Sequence, residues 1–399
     1  MKICMVAFGP IEEKTGGYEV RCHYIIRSLA DLGHHVYVLE FPITPTKLGL
    51  VKGKRIKFIR LKGNEPTQNK FLNILSSYLE RHFTINPVRL LRTQLYSIVG
   101  LVKFRKVIKQ CNMVFVESVF FPFGILLSRF FGKKTILDTH YVGKLQALKY
   151  KRKSLLENFL REFLWDVLER FSSRLSDFVI VVSEEEKLFV KEEYGVAESK
   201  ILVIPVTVKL PKMKASQQKV REIIEKWDLK DKTIIMFLGM LEAPPNMDAV
   251  KYIIDKLAPY LWKKRKDVVF LIIGKGKERF TGNTLPNIIF TGFVEDVSPF
   301  FKVSDLCIAP LRMGSGIKTK ILEYMSYGKL VLTTPAGVEG IKLDNVSSVI
   351  VSDIKGYPEN LLKIISNLEK MKRKGRSGKE IIKKYYTPSI IKKKISEIL

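Results

Sequence analysis

The stretch Pro310-Leu311-Arg312-Met313-Gly314-Ser315-Gly316-Ile317-Lys318-Thr319-Lys320-Ile321-Leu322-Glu323-Tyr324-Met325 reads as a strand end, a Gly-Ser-Gly turn and the opening of an amphipathic helix. Gly314 and Gly316 let a backbone come close to a ligand, and a helix start offers unpaired N–H groups and a positive dipole end to an anion. Lys318 and Lys320 add mobile positive charge in the same turns, and one carboxylate, Glu323, follows two turns in. Ser315, Thr319 and Glu323 share one face at four-residue spacing, while Ile317, Ile321 and Met325 form a stripe roughly opposite. One face packs, and the other looks into a cleft suited to something phosphorylated and hydroxylated.

The segments around this stretch repeat a strand–helix rhythm, which predicts parallel sheets with helices on both faces. The predicted strands are Lys2–Phe8, His35–Glu40, Ile56–Arg60, Met113–Glu117, Thr135–Asp138 and Phe178–Val182, then Thr233–Leu238, Val268–Ile273, Ile288–Thr291, Leu306–Ala309, Leu330–Thr334 and Val349–Val351. Each is a short apolar run without clean alternation, as strands buried on both faces require. A helix over Glu19–Leu32 is ended by Gly33, and the span Lys144–Ser176 is largely helical. A polar, Lys- and Gln-rich stretch at Lys209–Lys219 divides the chain into residues 1–207 and 208–387. A last helix, Pro388–Leu399, follows a Tyr-Tyr-Thr-Pro break and is expected to pack back on the first unit.

The chain has 399 residues, 46% of them hydrophobic and 11% aromatic, which excludes a disordered protein and allows two cores. Cys4, Cys22, Cys111 and Cys307 have no metal-ligand spacing and read as free, buried thiols of a reducing compartment. Met1–Phe8 reads as a first strand rather than a signal peptide. The longest uncharged apolar run, Ser118–Ser128, has 11 residues, too few to span a bilayer. The expectation is a cytoplasmic protein, peripheral on the cytoplasmic membrane face. Net charge is +29, and between Phe41 and Lys153 there are 23 Lys and Arg against four acids. Aromatic and aliphatic residues interleave with that charge, as in Phe120–Leu127 and Arg129–Lys134, which suits an anionic membrane surface better than a nucleic-acid groove.

Other strand ends carry glycine turns. Gly16-Gly17 precedes the first helix and can present N–H groups to phosphate, without the spacing of a nicotinamide dinucleotide fingerprint. Asp138-Thr139-His140 ends a strand with a group able to hydrogen-bond a sugar hydroxyl or a phosphate. Phe237-Leu238-Gly239 runs on to a Pro-preceded helix start with Asn246, and Ile272-Ile273-Gly274-Lys275-Gly276 and Thr291-Gly292-Phe293-Val294-Glu295-Asp296 continue the series.

Taken in order, these segments resemble a glycosyltransferase of the GT-B fold, in the group 1, family 4 class of retaining, nucleotide-sugar-dependent enzymes. The resemblance spans the chain and is most specific from about residue 234 to 341. It implies an α/β fold of two doubly wound, Rossmann-like domains facing across a cleft, an acceptor-side first domain and a second domain that binds a nucleotide-diphosphate sugar. It assigns the ribose to Glu323, the diphosphate to the turn Gly314, Ser315, Gly316, Ile317 and Lys318 with Lys320, and further donor contacts to Gly239, Asn246 and Gly274. Gly16 and Gly17 approach the phosphates when the cleft closes, and His140 contacts the donor sugar. His140, Lys318 and Glu323 are the implied catalytic residues. No Asp-x-Asp motif is present, and a helix dipole with lysines can stabilise the leaving diphosphate, so no metal or other cofactor is expected. The implied acceptor is a hydroxyl of a lipid-linked or surface glycan, attacked from the front face.

Three departures mark the chain. The first of the family's two glutamates is replaced by Ser315, its Arg and Lys after the Gly239 strand by Glu242-Ala243-Pro244-Pro245-Asn246, and its hinge Pro-Asn-Gly by Pro205-Val206-Thr207. These leave a second reading open, a catalytically degenerate protein that binds membrane or polyanion through its basic surface. A third is another GT-B sugar-nucleotide enzyme such as an epimerase. The sugar, base, acceptor, linkage and oligomeric state are not encoded in any recognisable motif.

Overall fold

The computed structural model describes residues 1–9, 17–42, 55–60, 102–119, 121–149, 155–211, 216–280, 282, 285–314 and 316–399. These form two compact units, Met1–Val206 with Pro388–Leu399, and Thr207–Thr387.

In the first unit the strands are β1 (Lys2–Gly9), β2 (His35–Pro42), β3 (Ile56–Arg60), β4 (Met113–Val116), β5 (Lys134–Asp138), β6 (Phe178–Val181) and β7 (Ile201–Val203). They pair in the order β3-β2-β1-β4-β5-β6-β7, all parallel, with Lys2 opposite His35 and Ile3 opposite Met113. Successive residues of β1 point to opposite faces. Cys4 and Val6 belong to one buried cluster, and Ile3, Met5 and Ala7 to another. The second cluster also takes Ile391 and Ile395 from the helix Pro388–Ser396.

The second unit holds β8 (Thr233–Leu238), β9 (Val268–Ile273), β10 (Ile288–Gly292), β11 (Leu306–Ala309), β12 (Val331–Thr333) and β13 (Val349–Val351). Their order is β10-β9-β8-β11-β12-β13, again all parallel. Every residue of β9 and β11 is buried, which explains why these strands show no polar–apolar alternation. In each sheet the strand order reverses once, between β1 and β4 and between β8 and β11, and ligands of such sheets bind outside the carboxyl ends at that point.

Local chemistry explains most boundaries. Ser183 caps the helix Glu184–Tyr194 by accepting the Glu186 N–H, and Gly195 closes it in the left-handed region at φ 64°. The first helix runs Gly17–Asp31, two residues earlier than predicted at its start, and Gly33 follows at φ 92°. Within the span predicted as largely helical, the described residues form the helices Gly143–Lys149 and Leu155–Leu175. The predicted strand Leu330–Thr334 shortens to Val331–Thr333. β7 has no counterpart among the predicted strands, because three residues are too few to show a period. All four cysteines are free and buried. No helix among the described residues is long and apolar enough to cross a membrane.

A Cβ at Gly143 would lie 2.2 Å from the Trp165 ring, so the first turn of this helix packs backbone directly on the indole. Gly143→Ala is expected to destabilise the first unit by about 2 kcal/mol through overpacking. A lowered urea midpoint, followed by Trp165 fluorescence in a Trp227→Phe, Trp262→Phe background, checks it.

Candidate functional site

In the second unit, candidate residues converge at the carboxyl ends of β8, β9 and β11. Gly274 has φ 146°, and a Cβ there would lie 1.7 Å from the Gly239 carbonyl oxygen, so the two turns touch through their backbones. A Cβ on Gly239 would lie 2.8 Å from both Asn246 Nδ2 and Lys320 Nζ. Asn246 sits three residues into the helix Pro244–Tyr252, whose N-cap is Ala243. Its amide donates to the Met240 carbonyl (2.7 Å) and its oxygen accepts from Lys320 Nζ (2.5 Å). The Lys320 ammonium also lies 4.0 Å from the centre of the Phe237 ring.

The helix after the glycine turn covers Thr319–Ser326, so Gly316 and Ile317 precede it, and no side chain caps its start at Lys318. Glu323 is therefore one turn inside the helix rather than two. Gly314 and Gly316 take left-handed φ values of 131° and 60°. Ser315 and Gly16 lie outside the described residues, and Gly17 opens the first helix. Ile317 is buried. Neither lysine is mobile as the sequence suggested. Lys318 is buried and donates to the Gly316 carbonyl (2.6 Å), 3.7 Å from a Glu339 carboxylate oxygen, and Lys320 is held as above. Burial pushes the Lys320 ammonium down to about 7 and the Glu323 carboxyl up to about 7, each drawn back by the other's charge.

Tyr324 ties the switch point together and carries no signal in the sequence. Its fully buried hydroxyl accepts the Leu238 N–H (2.8 Å) at the end of β8 and lies 3.5 Å from the Ile308 carbonyl of β11.

In the first unit His140 stands at the end of β5 in a left-handed conformation, φ 58°. Its Nε2 is 2.9 Å from Glu117 Oε2, and its ring lies 4.5 Å from that of Tyr18. Arg21 forks onto Asp138 at 2.8 and 3.0 Å and donates to the Ile204 carbonyl at 2.8 Å. Burial alone would raise Asp138; the Arg21 charge beside it holds it below the ordinary carboxylate range, whereas burial raises Glu117. The ligand atoms of Cys22, Glu117 and His140 lie within 4.8 Å of one another. A tetrahedral ion separates its ligand atoms by about 3.3–3.8 Å. The 2.9 Å contact of His140 with Glu117 is instead a hydrogen bond.

The loop that follows His140 is held by two buried glutamates. Glu169 accepts the N–H groups of Gly143 (2.5 Å) and Lys144 (3.1 Å), and Glu186 accepts those of Val142 (3.2 Å) and Val182 (3.1 Å). Sequence reading singles out none of Arg21, Glu117, Glu169 and Glu186. The signal available was an acidic or basic residue inside an apolar run, as at Glu117.

Two family models match the chain. One, described as Glycosyltransferase Family 4, covers residues 15–210, and one described as Glycosyl transferases group 1 covers residues 232–367. An uncharacterised glycosyltransferase of Methanocaldococcus jannaschii is 24% identical over 269 residues, 64% of this chain and 65% of that protein. The chain thus spans slightly under two thirds of that relative's length. Among solved structures, HepE of Anabaena in complex with UDP has a TM-score of 0.68 at 14% identity, covering 100% of this chain and 99% of that one. WaaG, a glycosyltransferase involved in lipopolysaccharide biosynthesis, has a TM-score of 0.66 at 15% identity, covering 99% of each. At these identities the likeness shows the fold.

Burial pushes Glu169 and Glu186 up to about 7 in the folded protein, against an ordinary value of 4.5. The folded state keeps protons that the unfolded chain releases, so stability is greatest below about pH 4.5 from this source and falls as pH rises to about 7. Glu186→Gln is expected to flatten that part of the profile, read as the difference in urea midpoint between variant and parent from pH 4.5 to 7.5.

Proposed function

The chain belongs to the group 1, family 4 glycosyltransferases with the GT-B fold, and from that premise we propose that it moves a sugar from a nucleoside-diphosphate sugar to a hydroxyl acceptor with retention. The observation that carries this reading is the convergence of Gly239, Asn246, Lys320 and the Gly314–Glu323 segment on the strand ends of the second unit. In this reading Glu323 accepts the ribose hydroxyls. N–H groups around Gly314–Thr319, with Lys318 and Lys320, hold the diphosphate in place of a divalent ion. Lys320 is buried among neutral groups and one carboxyl, and a diphosphate supplies the counter-charge that burial denies it. HepE, solved with UDP and with UDP-glucose, supports a uridine nucleotide as the first ligand to try.

The reading extends to a lipid-linked or surface-glycan acceptor met at the cytoplasmic face of an anionic membrane. The helix Leu155–Leu175 leaves Leu156, Phe159, Phe163, Val167 and Phe171 exposed at spacings of three and four residues, and the adjoining helix Pro122–Phe130 leaves Phe123, Leu126 and Phe130 exposed. Exposed Lys103, Arg105, Lys106, Lys109 and Lys134 belong to the same unit. An apolar face accompanied by cations matches an anionic bilayer.

A thermal-shift screen with UDP, GDP, ADP and CMP, with and without Mg²⁺, tests the donor. Metal-independent stabilisation by one nucleoside diphosphate, followed by turnover of its sugar, supports the transferase. Binding without turnover favours the degenerate binding protein. Glu323→Ala is expected to raise the nucleotide Kd about tenfold, or about 1.4 kcal/mol, and unchanged calorimetric affinity removes its ribose role.

Deprotonation of Lys320 above about 7 removes charge from the phosphate site. The affinity ratio of UDP to uridine should therefore fall as pH rises from 6 to 8, and Lys320→Gln should abolish that slope. For the membrane, Phe159→Ser with Phe163→Ser, or Lys133→Glu with Lys134→Glu, should each release the protein from phosphatidylglycerol-containing vesicles in co-sedimentation. Undiminished pelleting of both variants rejects the interface.

A further inference from the structure

The Glu117–His140 pair at the ends of β4 and β5 has a second property. Glu117 is fully buried, and its Oε2 receives two contacts, His140 Nε2 at 2.9 Å and the Cys22 thiol at 3.5 Å. The Tyr18 hydroxyl donates to the Glu117 backbone carbonyl at 3.3 Å, and the main-chain N–H of Glu117 donates to Val6. The neighbouring carboxylate, Asp138, is taken by Arg21 and by the His140 main-chain N–H at 3.3 Å. Three constraints therefore fix the imidazole: the left-handed backbone, the Tyr18 ring beside it and the carboxylate at one nitrogen. The other nitrogen, Nδ1, has no hydrogen bond among the described residues, although the side chain is only 10% exposed.

We propose that Glu117 is a positioning residue that holds His140 as the Nε2–H tautomer, leaving Nδ1 bare to accept a hydrogen bond from a sugar hydroxyl. The physical reason is lone-pair matching. Glu117 Oε2 already accepts from the Cys22 thiol, so a bare Nε2 facing it at 2.9 Å sets lone pair against lone pair in a water-poor site. Donation from Nε2–H removes that repulsion, and the tautomer at one ring nitrogen is set by the hydrogen bond at the other. His140 then acts as an acceptor, so it selects a group that can donate and leaves its Nδ1 without that partner against a deoxygenated analogue. The proposal rests on the reading of His140 as a sugar contact. The hydroxyl can come from the donor sugar or from the acceptor.

The test uses the full chain, labelled with ¹⁵N in its five histidines, of which His140 is assigned with a His140→Gln variant. Long-range proton–nitrogen spectra are expected to show His140 as a single tautomer, Nε2 protonated and Nδ1 bare. In Glu117→Gln, which keeps the volume, the carboxamide can donate or accept, and the two tautomers should mix. Turnover per bound donor should fall by at least about tenfold in this variant, as when a histidine loses its orienting carboxylate. A parent spectrum with Nδ1 protonated, or a Glu117→Gln spectrum identical to the parent, overturns the proposal.

Ligand additions separate the sources. A shift of His140 Nδ1 with UDP-glucose but not UDP assigns the hydroxyl to the donor sugar. A shift with methyl glucoside in the presence of UDP assigns it to the acceptor, and no shift with either overturns the hydroxyl role. UDP thermal stabilisation, measured in parallel, reports on the nucleotide site alone. Its loss would count against the transferase reading without touching the tautomer result.

Discussion

Parallel pairing is the constraint on which the rest of this molecule depends. When every strand of a sheet runs the same way, all carboxyl ends lie along one edge, and each connection must cross a face through a helix. Both faces are then covered, which is why β4, β9 and β11 carry only buried residues. The strand ends meet turns that need not pair with anything, and at the reversal of strand order neighbouring turns diverge and leave room. Tyr324 fixes the width of that gap in the second unit, with a hydroxyl between β8 and β11. Gly239 and Gly274 then bring two backbones closer than any side chain allows.

The polar groups behind these turns follow one logic in both units. Charges are placed where water is scarce, and most are given a fixed neighbour. Arg21 and Asp138 satisfy each other and three main-chain groups, the Ile204 and Pro205 carbonyls and the His140 N–H, so their burial is matched by directed hydrogen bonds. Lys320 and Glu323 differ, because one has a neutral amide and an aromatic ring as its close partners and the other no hydrogen-bonded partner for its carboxylate among the described residues. Burial moves both toward neutrality. Glu169 and Glu186 are a third case, with carboxylates occupied by main-chain N–H groups of the loop behind His140.

Much of the architecture was legible because its signals are local. Ile56–Arg60, Thr233–Leu238, Val268–Ile273, Leu306–Ala309 and Val349–Val351 stand as strands with the limits that their apolar runs suggest. Gly33 and Gly195 end helices for the steric reason that makes glycine recognisable there. The helix after the glycine turn starts later than its pattern suggests, because the four-residue spacing of Ser315 with Thr319 and of Ile317 with Ile321 carries helical periodicity back across a turn in which Gly314 and Gly316 take left-handed conformations. Ala243 occupies the cap position of the helix Pro244–Tyr252, and Asn246, three residues in, turns its amide to Met240 and Lys320.

The strand–helix rhythm, the glycine turns at strand ends and the family resemblance follow from residue order alone, because these rest on the spacing of residues within a few turns. Which side chains share a site depends instead on how the chain folds back on itself. Arg21 meets Asp138 across 117 positions and Lys320 meets Asn246 across 74, and no local periodicity encodes such pairings. The protonation preferences of Lys320, Glu323 and Glu117 belong to the same class, since they come from burial by distant segments rather than from the residues themselves.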